Sequence, residues 1–147
     1  MNSDITKTVL SLFNVGKIRF APGTIASFLT LILWYFVPNS CYLQLVLLLI
    51  FIFLSFLLCY EHAKNNKEKD PSYIVMDEFV GMIVSLYMIP KLFSYYLICF
   101  ILFRFFDILK PSLIYKIQNV GYGLGIVLDD LISGLFVLII VNSYLYL

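Results

Sequence analysis

The feature that most constrains the fold is a 20-residue segment, residues 41–60, that contains no charged side chain. An α-helix of that length crosses the ~30 Å hydrocarbon core of a bilayer. The rest of the chain is similarly apolar, because 62% of its 147 residues are hydrophobic, whereas an ordinary soluble domain has about 45–50%. We therefore predict an all-α integral membrane protein. The length suits one membrane-embedded domain over residues 1–147.

Further apolar segments complete a predicted bundle of about four to five short transmembrane helices, with motif loops on the cytoplasmic side. These segments are residues 24–37, 74–89, 92–106 and the stretch that ends at Leu147. Pro22-Gly23 should break any helix, so Thr24 is expected to cap the first segment. That segment is short for a full span, and a re-entrant or interfacial position is the alternative.

The role of Pro90 decides the topology. One long helix kinked at Pro90 would carry Arg104 across the membrane and away from Asp77. A hairpin turning at Pro90-Lys91 returns the two residues to one side. Charge favours the hairpin, because it leaves nine of the ten Lys and Arg on one side and only Lys91 on the other. The positive-inside rule makes the rich side cytoplasmic.

Ionisable side chains interrupt the apolar segments at a few points. Arg104, Asp107 and Lys110 are spaced i, i+3 and i+6, so they lean toward one face of a helix. Charges at membrane depth mark a functional site by default. With the hairpin, the acids that converge at the cytoplasmic face are Asp77, Glu78, Asp107, Asp129 and Asp130. Carboxylates without histidine or thiolate partners favour Mg²⁺, and the neighbouring cations favour a phosphate.

Other features carry weaker signals. Lys17, Arg19 and the amides around Gly23 and Thr24 could form an anion-binding corner, although a plain turn with a helix cap explains the same residues. The alternating glycines at 121–125 suit either a phosphate or a flexible turn. Asp129-Asp130 come directly after them and are expected to lie before the final helix. His62 begins a charged loop at residues 61–72 and is expected to be solvated. The three cysteines are expected to act as small hydrophobic residues. A net charge of +1 without a basic run argues against nucleic acid.

Four ordered segments together resemble the phosphatidylglycerophosphatase A family of bacterial membrane enzymes. They are residues 21–24, 74–81, 103–111 and 123–134. The resemblance implies a multi-pass protein of the bacterial inner membrane whose active site faces the cytoplasm. It also implies Mg²⁺-dependent hydrolysis of the membrane lipid phosphatidylglycerol phosphate to phosphatidylglycerol and inorganic phosphate.

Carried onto this chain, the resemblance implies roles for the charged residues. The five acids named above would supply the metal ligands and a general base. Arg104 and Lys110 would hold the phosphate, helped by Lys17, Arg19 and the amides of Gly23 and Thr24. Water activated by the metal is the preferred nucleophile, and a phospho-aspartate on Asp107 is the alternative.

Two other classes of function remain open at this stage. A CDP-alcohol phosphotransferase also uses aspartates and Mg²⁺, but only Asp129-Asp130 faintly matches its longer aspartate pattern. An ion or solute carrier would use intramembrane carboxylates, but no inverted repeat is visible. A homodimer is possible for so small a bundle.

Overall fold

The computed structural model describes residues 3–65, 71–110, 121 and 124–145. All the regular elements in these ranges are helical, and they hold no strand, which confirms the predicted all-α class for this part of the chain. The helices are α1 Ser3–Leu10, a 3-10 turn Val15–Lys17, α2 Pro22–Phe36, α3 Cys41–Asn65, α4 Met76–Leu86, α5 Phe93–Leu109 and α6 Leu124–Leu145. The predicted charged loop and glycine-rich turn fall partly outside the described residues.

Two of the described helices, α3 and α6, are long and apolar enough to cross a bilayer, with 25 and 22 residues. α3 carries a stripe of exposed apolar side chains: Val46, Leu49 and Phe53 are 52%, 56% and 66% exposed. Their i, i+3, i+7 spacing places them on one helix face. An apolar face of this kind suits contact with lipid rather than water.

The short helix α4 forms the centre of the bundle. It packs against α2, α3, α5 and α6, and all its residues except Glu78 are buried. It packs closely against α6 at two glycines, because a Cβ on Gly134 would lie only 2.3 Å from the carbonyl oxygen of Gly81. Small residues allow helix backbones to approach this closely. The crossing sets the first turn of α4 beside the acidic turn of α6.

The hairpin prediction is confirmed. α4 ends at Leu86 and α5 begins at Phe93. In the intervening turn, Lys91 Nζ donates a 2.7 Å hydrogen bond to the carbonyl of Tyr35 and another to the carbonyl of Val37. A positive charge at this point stabilises the C-terminal end of α2. The turn therefore lies far from the start of α2, and α5 runs from the turn back toward the start of α2.

Three local predictions are wrong. Thr24 does not cap α2, because the helix begins at Pro22 with Ala21 as its N-cap residue. Proline is well tolerated at the first helical position, where its missing N–H would have no helical partner. Asp129-Asp130 lie inside α6 rather than before it, since the helix starts at Leu124. His62 is buried, with its ring 6.0 Å from that of Tyr73, because α3 continues past residue 60.

Candidate active site

The centre of the candidate site is formed by three carboxyl groups. Asp77 and Glu78 lie in the first turn of α4, where the helix dipole favours negative charge, and Asp130 comes from α6. One carboxyl oxygen of each lies within 4.8 Å of the others. Asp77 Oδ1 and Glu78 Oε2 are buried and have no hydrogen-bond partner among the described residues. Carboxylates this close repel one another unless a cation or a proton neutralises them.

Asp107 and Arg104 of α5 extend the site. Arg104 Nη1 lies 2.5 Å from Asp107 Oδ2, which confirms that this i, i+3 pair shares one helix face. Asp107 also interacts electrostatically with Asp130. Arg104 and Asp107 both interact electrostatically with Glu78. The three central acids are therefore continuous with a cation that could hold a phosphate.

A second ion pair lies beside the first. Lys110 ends α5 in a left-handed conformation, with φ of 40°, and its Nζ lies 2.6 Å from Asp129 Oδ2. Burial alone would lower the pKa of Lys110, but the hydrogen bond and charge of Asp129 outweigh burial and raise that pKa. The other carboxyl oxygen of Asp129 accepts a 3.0 Å hydrogen bond from the backbone N–H of Asp130. Lys110 is thus a charged side chain at the edge of the acidic cluster.

Gly23 brings the start of α2 into the site. A Cβ at this position would lie 2.1 Å from Glu78 Oε1 and 3.3 Å from Arg104 Nη1. The absence of a side chain therefore makes room for both charged groups. The sequence predicted a role for the backbone amide of Gly23 in anion binding. It gave no indication that Gly23 contacts Glu78. Thr24 is the next residue along α2 and is half-buried.

Lys17 and Arg19 are placed differently. Both side chains are exposed in the segment before α2. Within the described part of the chain, no ion pair joins either one to the acids. The structure thus brings together the five predicted acids, Arg104, Lys110 and Gly23, while Lys17 and Arg19 stay at the surface. Cys59 is buried and lies near Asp77, a proximity that nothing in the sequence indicated.

A helical bundle with apolar helices of membrane-spanning length, and with carboxylates beside cations at one end, suits a membrane enzyme that acts on a phosphate. Comparison with known protein families identifies the kind of enzyme more specifically. The family model for phosphatidylglycerophosphatase A matches residues 8–144. The chain belongs to that family and is a phosphatase.

Relatives of similar length support the same family. A Haemophilus influenzae protein named phosphatidylglycerophosphatase A is 39% identical over 91% of this chain and 85% of its own length. An Escherichia coli protein of the same name is 35% identical over 83% of this chain and 73% of its own. A Bacteroides thetaiotaomicron protein, whose name proposes a phosphatidylinositol-3-phosphatase, is 33% identical over 88% of this chain and 86% of its own. No solved structure matches the chain significantly.

Proposed function

We propose that the protein hydrolyses phosphatidylglycerol phosphate to phosphatidylglycerol and inorganic phosphate in a Mg²⁺-dependent reaction. One observation carries the proposal: the carboxyl oxygens of Asp77, Glu78 and Asp130 lie within 4.8 Å of one another, directly beside the Arg104–Asp107 ion pair. The names of the two phosphatidylglycerophosphatase A relatives support the choice of lipid.

The donor set of this site fits Mg²⁺. All three central ligands are carboxylates, and two of their buried oxygens lack a protein partner in the described structure. Mg²⁺ prefers oxygen ligands and commonly binds through few carboxylates together with substrate phosphate oxygens. Asp77, Glu78 and Asp130 would hold the ion. When bound, it would neutralise charge on the phosphoryl oxygens and favour ionisation of the attacking water.

The ion pairs suggest how the chain's own residues bind the phosphate. Arg104 and Lys110 are each held by a carboxylate, Asp107 or Asp129. An incoming phosphate monoester offers the same cations more oxygens in a better geometry, particularly to the forked guanidinium of Arg104. The phosphate therefore displaces Asp107 from Arg104 and leaves a free carboxylate at the reacting centre.

The freed Asp107 then acts as the general base. It accepts a proton from the attacking water, whose oxygen forms a bond to phosphorus. The bond between phosphorus and the glycerol oxygen breaks, and that oxygen takes up a proton from solvent to leave as the alcohol of phosphatidylglycerol, while Asp107 returns its proton to solvent. Arg104 and Lys110 stabilise the negative charge on the phosphoryl oxygens during the transfer. Attack by Asp107 itself is the alternative, and it would give a trappable phospho-aspartate.

The proposed location is the bacterial inner membrane, with the site at the cytoplasmic face and four to five helices spanning or entering the bilayer. The alternation of helix direction supports this arrangement. α2, α4 and α6 begin at the site end, and α5 returns to it. The described cations Arg104 and Lys110 lie at this end, whereas Lys91 lies at the other, as the positive-inside rule requires for a cytoplasmic site.

A second candidate substrate is a phosphoinositide carrying a 3-phosphate. The observation that favours it is the 33% identity to the Bacteroides thetaiotaomicron relative. Both lipids present a phosphate monoester on an alcohol next to a membrane, so the site chemistry is the same. Only the headgroup that fits around the phosphate differs.

The test is phosphate release by detergent-purified protein from each lipid, with Mg²⁺ and with a chelator. We expect faster release from phosphatidylglycerol phosphate, and loss of release when the metal is removed. Asp130→Asn and Asp107→Asn should each lower the rate by about 100-fold or more. Asp4→Asn, at an exposed position of α1, is the matched control and should leave the rate unchanged. Full activity in Asp107→Asn would contradict the proposed role of Asp107 in the site. Faster release from the phosphoinositide would show that this lipid, and not phosphatidylglycerol phosphate, is the preferred substrate.

A further inference from the structure

A groove lined by apolar side chains lies between α2, α3 and α4. Its volume is about 210 Å³, and it is lined mainly by Thr30, Trp34, Leu47, Phe51, Phe79 and Ile83. The Thr30 hydroxyl donates a 2.8 Å hydrogen bond to the carbonyl of Ala26 in its own helix, so it offers no free donor to a ligand. The groove therefore suits a hydrocarbon.

Two helices, α2 and α4, carry residues of both the candidate site and the groove. On α2, Gly23 contacts Glu78, and Thr30 follows seven residues later, which is two turns along the same helix face and about 10 Å further into the bundle. On α4, Phe79 directly follows Glu78, and Ile83 lies one turn beyond it. The groove thus lies within about two helical turns of Gly23 and Glu78, on the side away from the starts of α2 and α4.

We propose that this groove binds one acyl chain of the substrate lipid while the phosphate occupies the charged site. The inference rests on the proposed lipid phosphatase function. The volume exceeds that of an apolar cavity of about 150 Å³ known to accept benzene, so it can hold a segment of one chain. The two ends of one phospholipid, an anionic phosphate and a hydrocarbon chain, match the two adjoining regions in order and in polarity.

The groove acts chiefly by positioning the substrate. A bilayer interior is as apolar as the groove, so transfer of a chain between them provides little binding energy. Occupation of the groove instead fixes the depth and rotation of the lipid, and with them the distance from the phosphorus atom to Asp107 and Arg104. Misplacement of a reacting group by about 1 Å can cost about 100-fold in rate. Filling the groove should therefore lower kcat more than it raises KM.

The test compares two variants on two substrates. Leu47→Trp fills the groove from its half-buried α3 wall. Ile140→Trp is the matched control, because it fills an apolar pocket of about 240 Å³ between α5 and α6. Each is assayed on long-chain phosphatidylglycerol phosphate and on a short-chain form whose acyl groups cannot reach Leu47. If Leu47→Trp fails to fold, Leu33→Trp at the exposed edge of the same groove replaces it.

We expect Leu47→Trp to lower kcat on the long-chain lipid by about 10-fold or more, with KM changed by less than about threefold and short-chain activity retained. Ile140→Trp should leave both activities near wild type. Equal loss on both substrates would show a purely structural effect. No loss on either would show that the substrate does not use the groove. Each result overturns the inference. Wild-type protein inactive on both chain lengths would instead refute the proposed function itself.

Discussion

Replacement of Gly23 by alanine tests the geometry of the site most directly. At an ordinary helical position this change stabilises a protein by up to about 1 kcal/mol, because alanine is the better helix former. Here the added Cβ would lie 2.1 Å from Glu78 Oε1 and 2.9 Å from Glu78 Cδ. The end of the Glu78 side chain is flexible, so we expect the carboxylate to move while the helices keep their places.

The size of that movement follows from the contact distance. An ordinary contact needs at least 3.4 Å, so the Glu78 carboxylate must retreat by more than 1 Å from its position 2.1 Å from the new carbon. A displacement of that size at a reacting centre costs about 100-fold in rate. We therefore expect Gly23→Ala to lower kcat/KM for phosphate release by about 100-fold, with a thermal unfolding midpoint equal to or above that of wild type.

The assay is phosphate release in detergent, together with thermal unfolding of the same preparation. Asp4→Asn, at an exposed position of α1, is again the control, and it should keep full activity. Adding Glu78→Asp to Gly23→Ala shortens the displaced side chain and should recover part of the lost rate relative to Gly23→Ala alone. Wild-type activity in a folded Gly23→Ala protein would refute the placement of Gly23 against Glu78.

Three further changes separate structural from functional roles. Gly134→Ala places a Cβ 2.3 Å from the backbone oxygen of Gly81, so the helices must separate and the thermal midpoint should fall, by an amount equivalent to about 1–3 kcal/mol; an unchanged midpoint would contradict the close crossing. Lys110→Met leaves Asp129 buried without its cation and should cost roughly 2–3 kcal/mol, discounted from a fully buried pair because Lys110 is 28% exposed, as measured by thermal unfolding. Lys17→Gln should reduce activity by only a few-fold, and the deficit should vanish at high salt, because this exposed charge acts through a screened field; a salt-independent loss of about 100-fold would place it in the phosphate site.

Much of the candidate site could be predicted from the sequence because membrane burial makes charge informative. Asp77, Asp107 and Asp130 are conspicuous in apolar segments, and helical periodicity sets Arg104 beside Asp107. Counting the charges on each side of the membrane was then enough to choose the hairpin at Pro90 over a single kinked helix. Each of these inferences depends on a cost of several kcal/mol for an unpartnered charge in hydrocarbon, which leaves few alternatives.

The features that the sequence did not reveal depend on smaller energies or on contacts between distant segments. The start of α2 at Pro22 instead of Thr24 involves cap preferences of about 1 kcal/mol, which packing of the helix end can override. The burial of His62 follows from the path of the segment that contains Tyr73. The contact between Gly23 and Glu78 joins residues from separate helices, and no local pattern encodes it.

The balance of charge in the site leads to a last prediction. Five carboxyl groups share the site with the two cations of the ion pairs, so fully ionised acids would repel a phosphate dianion. Either protons or a bound cation must remove that excess. If protons did so, activity in the presence of a chelator would rise as the pH falls and more carboxyl groups became neutral. We expect instead that chelation abolishes phosphate release at every pH at which the protein stays folded, and that added Mg²⁺ restores it, because the buried oxygens of Asp77 and Glu78 that lack partners are suited to a metal ion. Metal-free activity that increases in acid would show that protonated carboxyl groups, and not Mg²⁺, neutralise this site.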